Sequence, residues 1–313
     1  MINTEKLIKE LVKNGYSKQG GSKEWDMSNL SLLYLNDNMA KDYLKLKKHP
    51  RYKATVIDIE TNLLKQNINE VIDCVSECSF NLIDTGASEG EKAKILIKAL
   101  GKGVRFRYCP VHVNNYLINL ATESVKNDKF SNVIDYSPRI CDDFSNLDEV
   151  GAALRSNNYS KNVFLILNSL LGGYEINEFL FKLSRSMLPG DTIVIGNGIR
   201  KGERFEHLEN YKSPLFNNWF IHLMKELGFN EDEVEYDARF TNERMESFFT
   251  LKVDKEINGT EKKMKFNKGD KIIVASLYKY YADELEKFCK MYFSSVKIFK
   301  DKDEEYALVV CKK

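Results

Sequence analysis

Leu82-Ile83-Asp84-Thr85-Gly86-Ala87-Ser88-Glu89-Gly90-Glu91-Lys92 is the stretch on which the fold of this chain turns. An apolar run containing Phe80, Leu82 and Ile83 ends in an acid, and glycines follow two and six residues later. A helix-forming run then reaches Leu100. A strand that delivers an acid to a glycine turn at a helix start holds a nucleotide-type ligand at the carboxyl edge of a parallel sheet. Gly86 and Gly90 let the backbone come close to such a ligand, and the helix amino terminus offers N–H groups. Strand-to-glycine turns are also common in α/β folds, so the surrounding chain carries the decision.

Outward from that stretch the rhythm is α/β. Strands are expected at 81–84, 104–111, 137–141, 162–168 and 192–196, with helices at 91–100, 114–126 and 176–187 and a turn at Pro189-Gly190-Asp191. Strands alternating with helices of this size give a parallel, doubly wound sheet with right-handed crossovers. Upstream, Asn3 can cap a helix carrying Leu7, Ile8, Leu11 and Val12, stopped by Gly15. A polar segment at 18–23 and helices at 30–46 and 56–64 follow, with Pro50 between the helices. After Gly198 the pattern changes: an amphipathic helix at 215–227, then alternating segments at 244–253 and 262–266 around Asn258-Gly259. This reads as an inserted strand-rich module. A helix at 280–292 and strands at 295–299 and 306–311 then close the sheet, in an antiparallel end.

Composition narrows the function classes. The chain has 313 residues, 43% of them apolar, and 47 basic against 46 acidic side chains. A net charge of +1 gives no basic excess to draw nucleic acid, and Lys45, Lys47, Lys48 and Lys262, Lys263, Lys265 read as solvated faces. No apolar run of about 18 residues is present, and the first residues read as an amphipathic helix rather than a signal peptide, so no membrane partner and a cytoplasmic location are expected. Cys74, Cys78, Cys109, Cys141, Cys289 and Cys311 are scattered, and His49, His112, His207 and His222 lack ligand spacing. Neither metal nor disulfide is expected, Cys74 and Cys78 being read as reduced thiols on one helical face.

The spacing Asp84-x-Gly86-x-x-x-Gly90 resembles motif I of class I S-adenosyl-L-methionine (SAM) methyltransferases. Further segments line up in order: 107–113 (Arg-Tyr-Cys-Pro-Val-His-Val), 141–144 (Cys-Asp-Asp-Phe), 188–191 (Leu-Pro-Gly-Asp), 201–211, Asn217-Asn218, 238–246 (Ala-Arg-Phe-Thr-Asn-Glu-Arg-Met-Glu) and Tyr306-Ala307-Leu308. Together they resemble the histidine-specific, SAM-dependent N-methyltransferase family over roughly residues 30 to 313. Its best-known members trimethylate histidine on the way to ergothioneine, and a fungal branch methylates a prenylated tryptophan. The resemblance implies a Rossmann-like SAM domain with an inserted α+β substrate-binding module. The expected division is 1–75, a helical region covering the cofactor; 76–199, the SAM core; 200–276, the insertion; and 277–313, the closing helix and strands.

Carried over residue by residue, the resemblance places Gly86, Ser88 and Lys92 around the methionine part of SAM. Asp143 and Phe144 would lie beside the adenine, Asn168 beside the transferable methyl, and Tyr34 over the cofactor. Tyr211 and Tyr52 match tyrosines near the substrate, and Tyr211 is the candidate to help remove the amine proton. Three departures stand out. His112 replaces an acid that accepts from both ribose hydroxyls, and neutral histidine offers one acceptor nitrogen. Gly173 replaces the asparagine that holds the amino acid, and Ala275-Ser276-Leu277 replaces the Glu-x-Ser that reads the imidazole, leaving Ser276 as a candidate contact. A readout stripped of its polar groups should not select histidine.

The expected activity is therefore SAM-dependent methylation of a small molecule, an amino acid or related amine other than histidine. The alternatives are a hydroxyl or macromolecular acceptor, or a non-catalytic descendant that kept the fold as a binding module. Blander readings also stand beside individual residues. Asp143-Phe144 suits a capped turn over a core phenylalanine, His112 an exposed strand end, and Phe216, Trp219 and Phe220 helix packing rather than an aromatic cage.

Overall fold

Phe80–Thr85, buried along its whole length, is an interior strand of the sheet that the opening stretch predicts. A computed structural model describes residues 2–75, 79–202, 208–259 and 263–313. Cys78, His207, Lys262 and part of the 201–211 segment lie outside the described residues. The sheet order is Ser295–Lys300, Tyr306–Lys312, Thr192–Gly198, Lys161–Ile166, Phe80–Thr85, Phe106–His112, Val133–Tyr136. Neighbours from Thr192–Gly198 to Val133–Tyr136 are parallel, and the last two strands of the chain are antiparallel. This is the doubly wound sheet with an antiparallel end that the sequence implies. Val163-Phe164-Leu165-Ile166 and Ile193-Val194-Ile195 are continuous apolar runs because both faces are covered. Glu91–Leu100 forms as expected, and Asn114 caps Asn115–Asn127 by accepting from the Leu117 N–H. The strand expected at 137–141 is instead two short ones, Val133–Tyr136 and Arg139–Ile140, separated at Pro138, which has no N–H to donate.

By internal contacts the chain divides into two compact units, residues 50–203 with 279–313 and residues 1–49 with 204–278. The first holds the doubly wound sheet. The second differs from the expected partition, because the amino-terminal 49 residues join the insertion instead of standing with residues 50–75. Its sheet runs Tyr16–Gln19, Ser22–Asp26, Lys271–Tyr278, Arg244–Leu251, Val234–Thr241. The polar segment at 18–23 is thus a hairpin: Gly20 and Gly21, at φ 57° and 93°, turn it. Ser22–Asp26 then pairs parallel with the start of Lys271–Tyr278. Trp25 anchors this graft, packing on Tyr16 and Phe266 and donating from its indole N–H to Asp270 at 3.5 Å.

The two faces of that sheet differ. Met245, Ser247, Phe249 and Leu251 turn one way and are buried. Arg239 and Glu246, paired in register, turn the other way. The Arg239 guanidinium reaches the Glu24 carboxylate at 2.7 and 2.8 Å and Glu246 at 2.8 Å, and Arg244 adds a contact to Glu246 at 2.8 Å. The hydrogen bond and charge from Arg239 hold the Glu24 carboxyl below its usual range against the opposing effect of burial. Arg239→Met should cost about 3 kcal/mol, because it leaves two buried carboxylates short of their shared cation. A urea midpoint lowered accordingly checks this; an unchanged midpoint would show that Arg244 and Lys271 suffice.

Candidate functional site

The carboxyl edge of the doubly wound sheet assembles most of the expected site. Phe106–His112 and Lys161–Ile166 flank Phe80–Thr85 on opposite sides, so the topological switch point, where such sheets bind ligands, lies at the end of Phe80–Thr85. Asp84 is 6% exposed and accepts from the Tyr108 hydroxyl at 2.7 Å. Burial and the Asp84 charge push that phenol far up, so it stays a donor. Gly86 sits at φ 67° and, among the described residues, only Leu170 lies within 4 Å of where a Cβ would stand, an open cradle. Gly90, also at φ 67°, is different: a Cβ there would press on Val125 at 3.1 Å and the Tyr108 hydroxyl at 3.3 Å. Gly90 is needed for helix packing beneath the turn. The amides of Gly86 and Ala87 both point to the Val111 carbonyl, which fixes the turn against the next strand. Thr85 Oγ1 is buried and has no hydrogen-bond partner among the described residues, and Ser88 is buried beside it in sequence.

On the Phe106–His112 side, His112 corrects an expectation. It is 1% exposed, not an exposed strand end, and its Nδ1 accepts the Asn114 backbone N–H at 3.0 Å. The one acceptor nitrogen of the neutral ring is therefore occupied, which assigns the ring proton to Nε2. Desolvation pushes its pKa down to about 3, which keeps it neutral. Phe144 packs edge-on against its ring at 5.1 Å and is 1% exposed. Asp143 caps the short turn Phe144–Asn146, accepting from the Ser145 N–H at 2.7 Å and the Tyr174 hydroxyl at 3.3 Å. Asp143 thus caps a turn, and His112 and Phe144 pack into one apolar wall beside it.

On the Lys161–Ile166 side, Lys92 donates to Asn168 Oδ1 at 2.5 Å and pairs with Glu60. Asn168 and Ser169 both adopt the left-handed conformation, at φ 62° and 56°. Gly173 ends the turn Leu170–Gly173, within which the Gly172 N–H donates to Asn197 Oδ1 at 3.0 Å. Sequence reading did not single out Glu60, which also accepts from the Tyr306 hydroxyl at 2.5 Å. The available signal was spacing: Ile57, Glu60 and Leu64 share one helical stripe, which puts an acid on a buried face.

Tyr34, Tyr211 and Ser276 belong to the other unit. Tyr34 rings pack with Tyr43 at 5.4 Å and Trp219 at 5.6 Å. Tyr211 stacks on Phe216 at 5.1 Å, and its carbonyl accepts the Tyr236 hydroxyl at 2.6 Å. Tyr236 also bonds Ser247, on the sheet face shared with Ala275. Ser276 pairs in register with Glu246 and turns to the opposite, charged face. Strand alternation therefore separates Ser276 from Tyr211, contrary to the expectation that both contact one substrate. Tyr52 ends the short helix Pro50–Tyr52 in the first unit and is half-buried.

Residues 30–313 match the sequence model of the family described as histidine-specific methyltransferase, SAM-dependent. The chain belongs to that family. It is a SAM-dependent methyltransferase. No individually curated protein matches it. Among solved structures, an S-adenosylmethionine-dependent methyltransferase from Clostridium acetobutylicum ATCC 824 is 12% identical, with TM-score 0.45 over 88% of this chain and 99% of its own. A protein from Pyrococcus horikoshii OT3 is 13% identical, with TM-score 0.46 over 87% and 98%. The methyltransferase's own edge fits its cofactor in chemistry: the open cradle at Gly86, the partnerless Thr85 hydroxyl and the Asp84 carboxylate suit a ligand carrying cations and hydroxyls. Among the described residues no helix is long and apolar enough to cross a membrane, and no cluster of three metal-ligating side chains is present.

Proposed function

We propose that this methyltransferase N-methylates a small amine, an amino acid or relative other than histidine. The sequence resemblance carries the reading: it matches Gly173, Ala275 and Leu277 to the family's polar readout, and none of the three has a side chain that can hydrogen-bond. Ala275 is buried at 6% exposure on the face of Ser247 and Tyr236, and its methyl gives an imidazole no hydrogen-bonding partner at that position. Sites that hydrogen-bond a substrate reject analogues strongly, and loss of those bonds removes the preference. The rings of Tyr211, Phe216, Trp219, Phe220 and Tyr236 follow one another at 4.8 to 6.3 Å and would favour an acceptor with an apolar or aromatic body.

SAM supplies a methyl already activated on a sulfonium, so the protein's work is alignment and exclusion of water. Asp84, Gly86, Ser88 and Lys92 would hold the cofactor from the glycine turn, and His112, Asp143 and Phe144 would wall the adenosine. Asn168 would face the methyl, and Tyr34 would cover the cofactor. The amine attacks unprotonated, and Tyr211, whose carbonyl accepts the Tyr236 hydroxyl, is proposed to help the amine proton leave by accepting a hydrogen bond from the N–H and passing the proton to water. Gly173 and Tyr52 would border the acceptor.

The test is calorimetric titration with SAM and S-adenosylhomocysteine, followed by mass-spectrometric methyl transfer to a panel of amines that includes histidine. Roughly micromolar cofactor binding is expected. An aromatic or apolar amine should be preferred over histidine by about tenfold or more. Histidine as the best acceptor would overturn the reading of Gly173, Ala275 and Leu277.

A further inference from the structure

Glu60 has no place among the residues carried over from the family, yet the cofactor edge is organised around it. It is 1% exposed. Its Oε1 accepts from the Asn168 backbone N–H at 2.8 Å and from the Tyr306 hydroxyl at 2.5 Å. Its Oε2 pairs with the Lys92 ammonium, which also donates to Asn168 Oδ1 at 2.5 Å. Gly196 makes room for this arrangement, since a Cβ there would collide with the Glu60 carboxylate. The carboxylate therefore closes a ring through Lys92 and the side chain and backbone of Asn168. That ring grips two successive non-glycine residues, Asn168 and Ser169, in the left-handed region. Such a conformation persists only when its surroundings over-determine it. Ser169 is held from its far side as well, its Oγ accepting the Gly198 N–H at 3.0 Å.

The ring occupies one side only of the switch point. Lys92 lies in the first turn of Glu91–Leu100, directly after the glycine turn, and Asn168 leaves the strand Lys161–Ile166. His112 and Phe144 lie on the other side, beyond Phe80–Thr85. An elongated ligand lying across that edge meets the two sides with its two ends.

We infer that Glu60 is a positioning residue for the amino-acid end of SAM. It sets the Lys92 ammonium and the 168–169 turn, and it leaves the adenosine end to His112 and Phe144. The inference rests on the cofactor orientation proposed above. It separates Glu60 from a residue that merely supports the fold, because a general support would matter equally to both ends of the ligand.

The experiment is calorimetric titration of the full chain with two probes, S-adenosylhomocysteine and 5′-methylthioadenosine, which keeps the adenosine and lacks the amino-acid end. Glu60→Ala frees the turn and removes the carboxylate paired with Lys92, and should weaken S-adenosylhomocysteine about tenfold while 5′-methylthioadenosine changes less than about twofold. Glu60→Gln preserves shape and the Oε1 acceptor but turns an amide toward the ammonium. It should show the same selectivity at about threefold, and it serves if the alanine variant does not fold. Parallel weakening of both probes, no change in either, or tighter S-adenosylhomocysteine would each overturn the positioning role. Failure of the wild-type chain to bind either probe would instead overturn the cofactor placement on which the role depends.

Discussion

Asp84→Asn should weaken SAM binding about hundredfold while leaving the fold in place. The carboxylate lies one residue before the end of an interior strand at the switch point and is almost wholly buried, so its charge is little screened. SAM carries a sulfonium and an α-ammonium, and a desolvated anion that faces either loses several kcal/mol of attraction when neutralised. The choice of asparagine matters. The Tyr108 hydroxyl donates to Asp84 Oδ2, and an amide oxygen can still accept it, so unfolding free energy should move by no more than about 1 kcal/mol. Asp84→Ala would confound the result, because it strands a fully buried phenol at a cost of about 1–3 kcal/mol. Calorimetry with SAM, beside a urea melt of the same variant, separates the two effects. Unchanged SAM affinity in Asp84→Asn would reduce Asp84 to an anchor for Tyr108.

What was legible in the chain follows the range over which each signal acts. The doubly wound sheet was legible because its evidence is local and repeated: Asp84 before Gly86 and Gly90, Val163 to Ile166, Ile193 to Ile195, each a buried run ending in a turn. Helix ends were legible where a cap is written in the residues, as at Asn114. The five-stranded sheet of the other unit was only half legible. Tyr16–Gln19 and Ser22–Asp26 are short and polar, and only the Gly20-Gly21 pair announces their hairpin; their partner lies near residue 271, which no local pattern reveals. The site divides the same way. The glycine turn could be found by spacing alone. The role of Glu60 depends on Lys92, Asn168, Gly196 and Tyr306 arriving from four other elements, and a lone acid on a helical stripe does not say what it will meet. Ser276 shows the converse failure: next to Ala275 in sequence, it turns to the opposite face because strand neighbours alternate.

Stability should fall with acidification between pH 7 and pH 5, and His112 should account for about 2 kcal/mol of the fall. The folded ring is held down to about pKa 3 by burial against Phe144, whereas an unfolded histidine titrates near 6.5. The sign follows from proton uptake. Below pH 6.5 the unfolded chain binds a proton that the folded chain refuses, so the native state loses ground with each further step toward pH 3, where the loss saturates. Above pH 6.5 both states are neutral and the residue is silent. His112→Asn removes the titrating group and keeps an acceptor for the Asn114 N–H, so the variant should lose about 2 kcal/mol less than the wild type between pH 7 and pH 5 in urea melts. Equal slopes would mean that the ring takes up its proton in the folded state, and the Asn114 N–H would then have to find another acceptor. The same neutrality bears on the cofactor. Where the resemblance places an acid that accepts from both ribose hydroxyls, His112 carries no charge and its Nδ1 already accepts the Asn114 N–H, so it is not an equivalent acceptor.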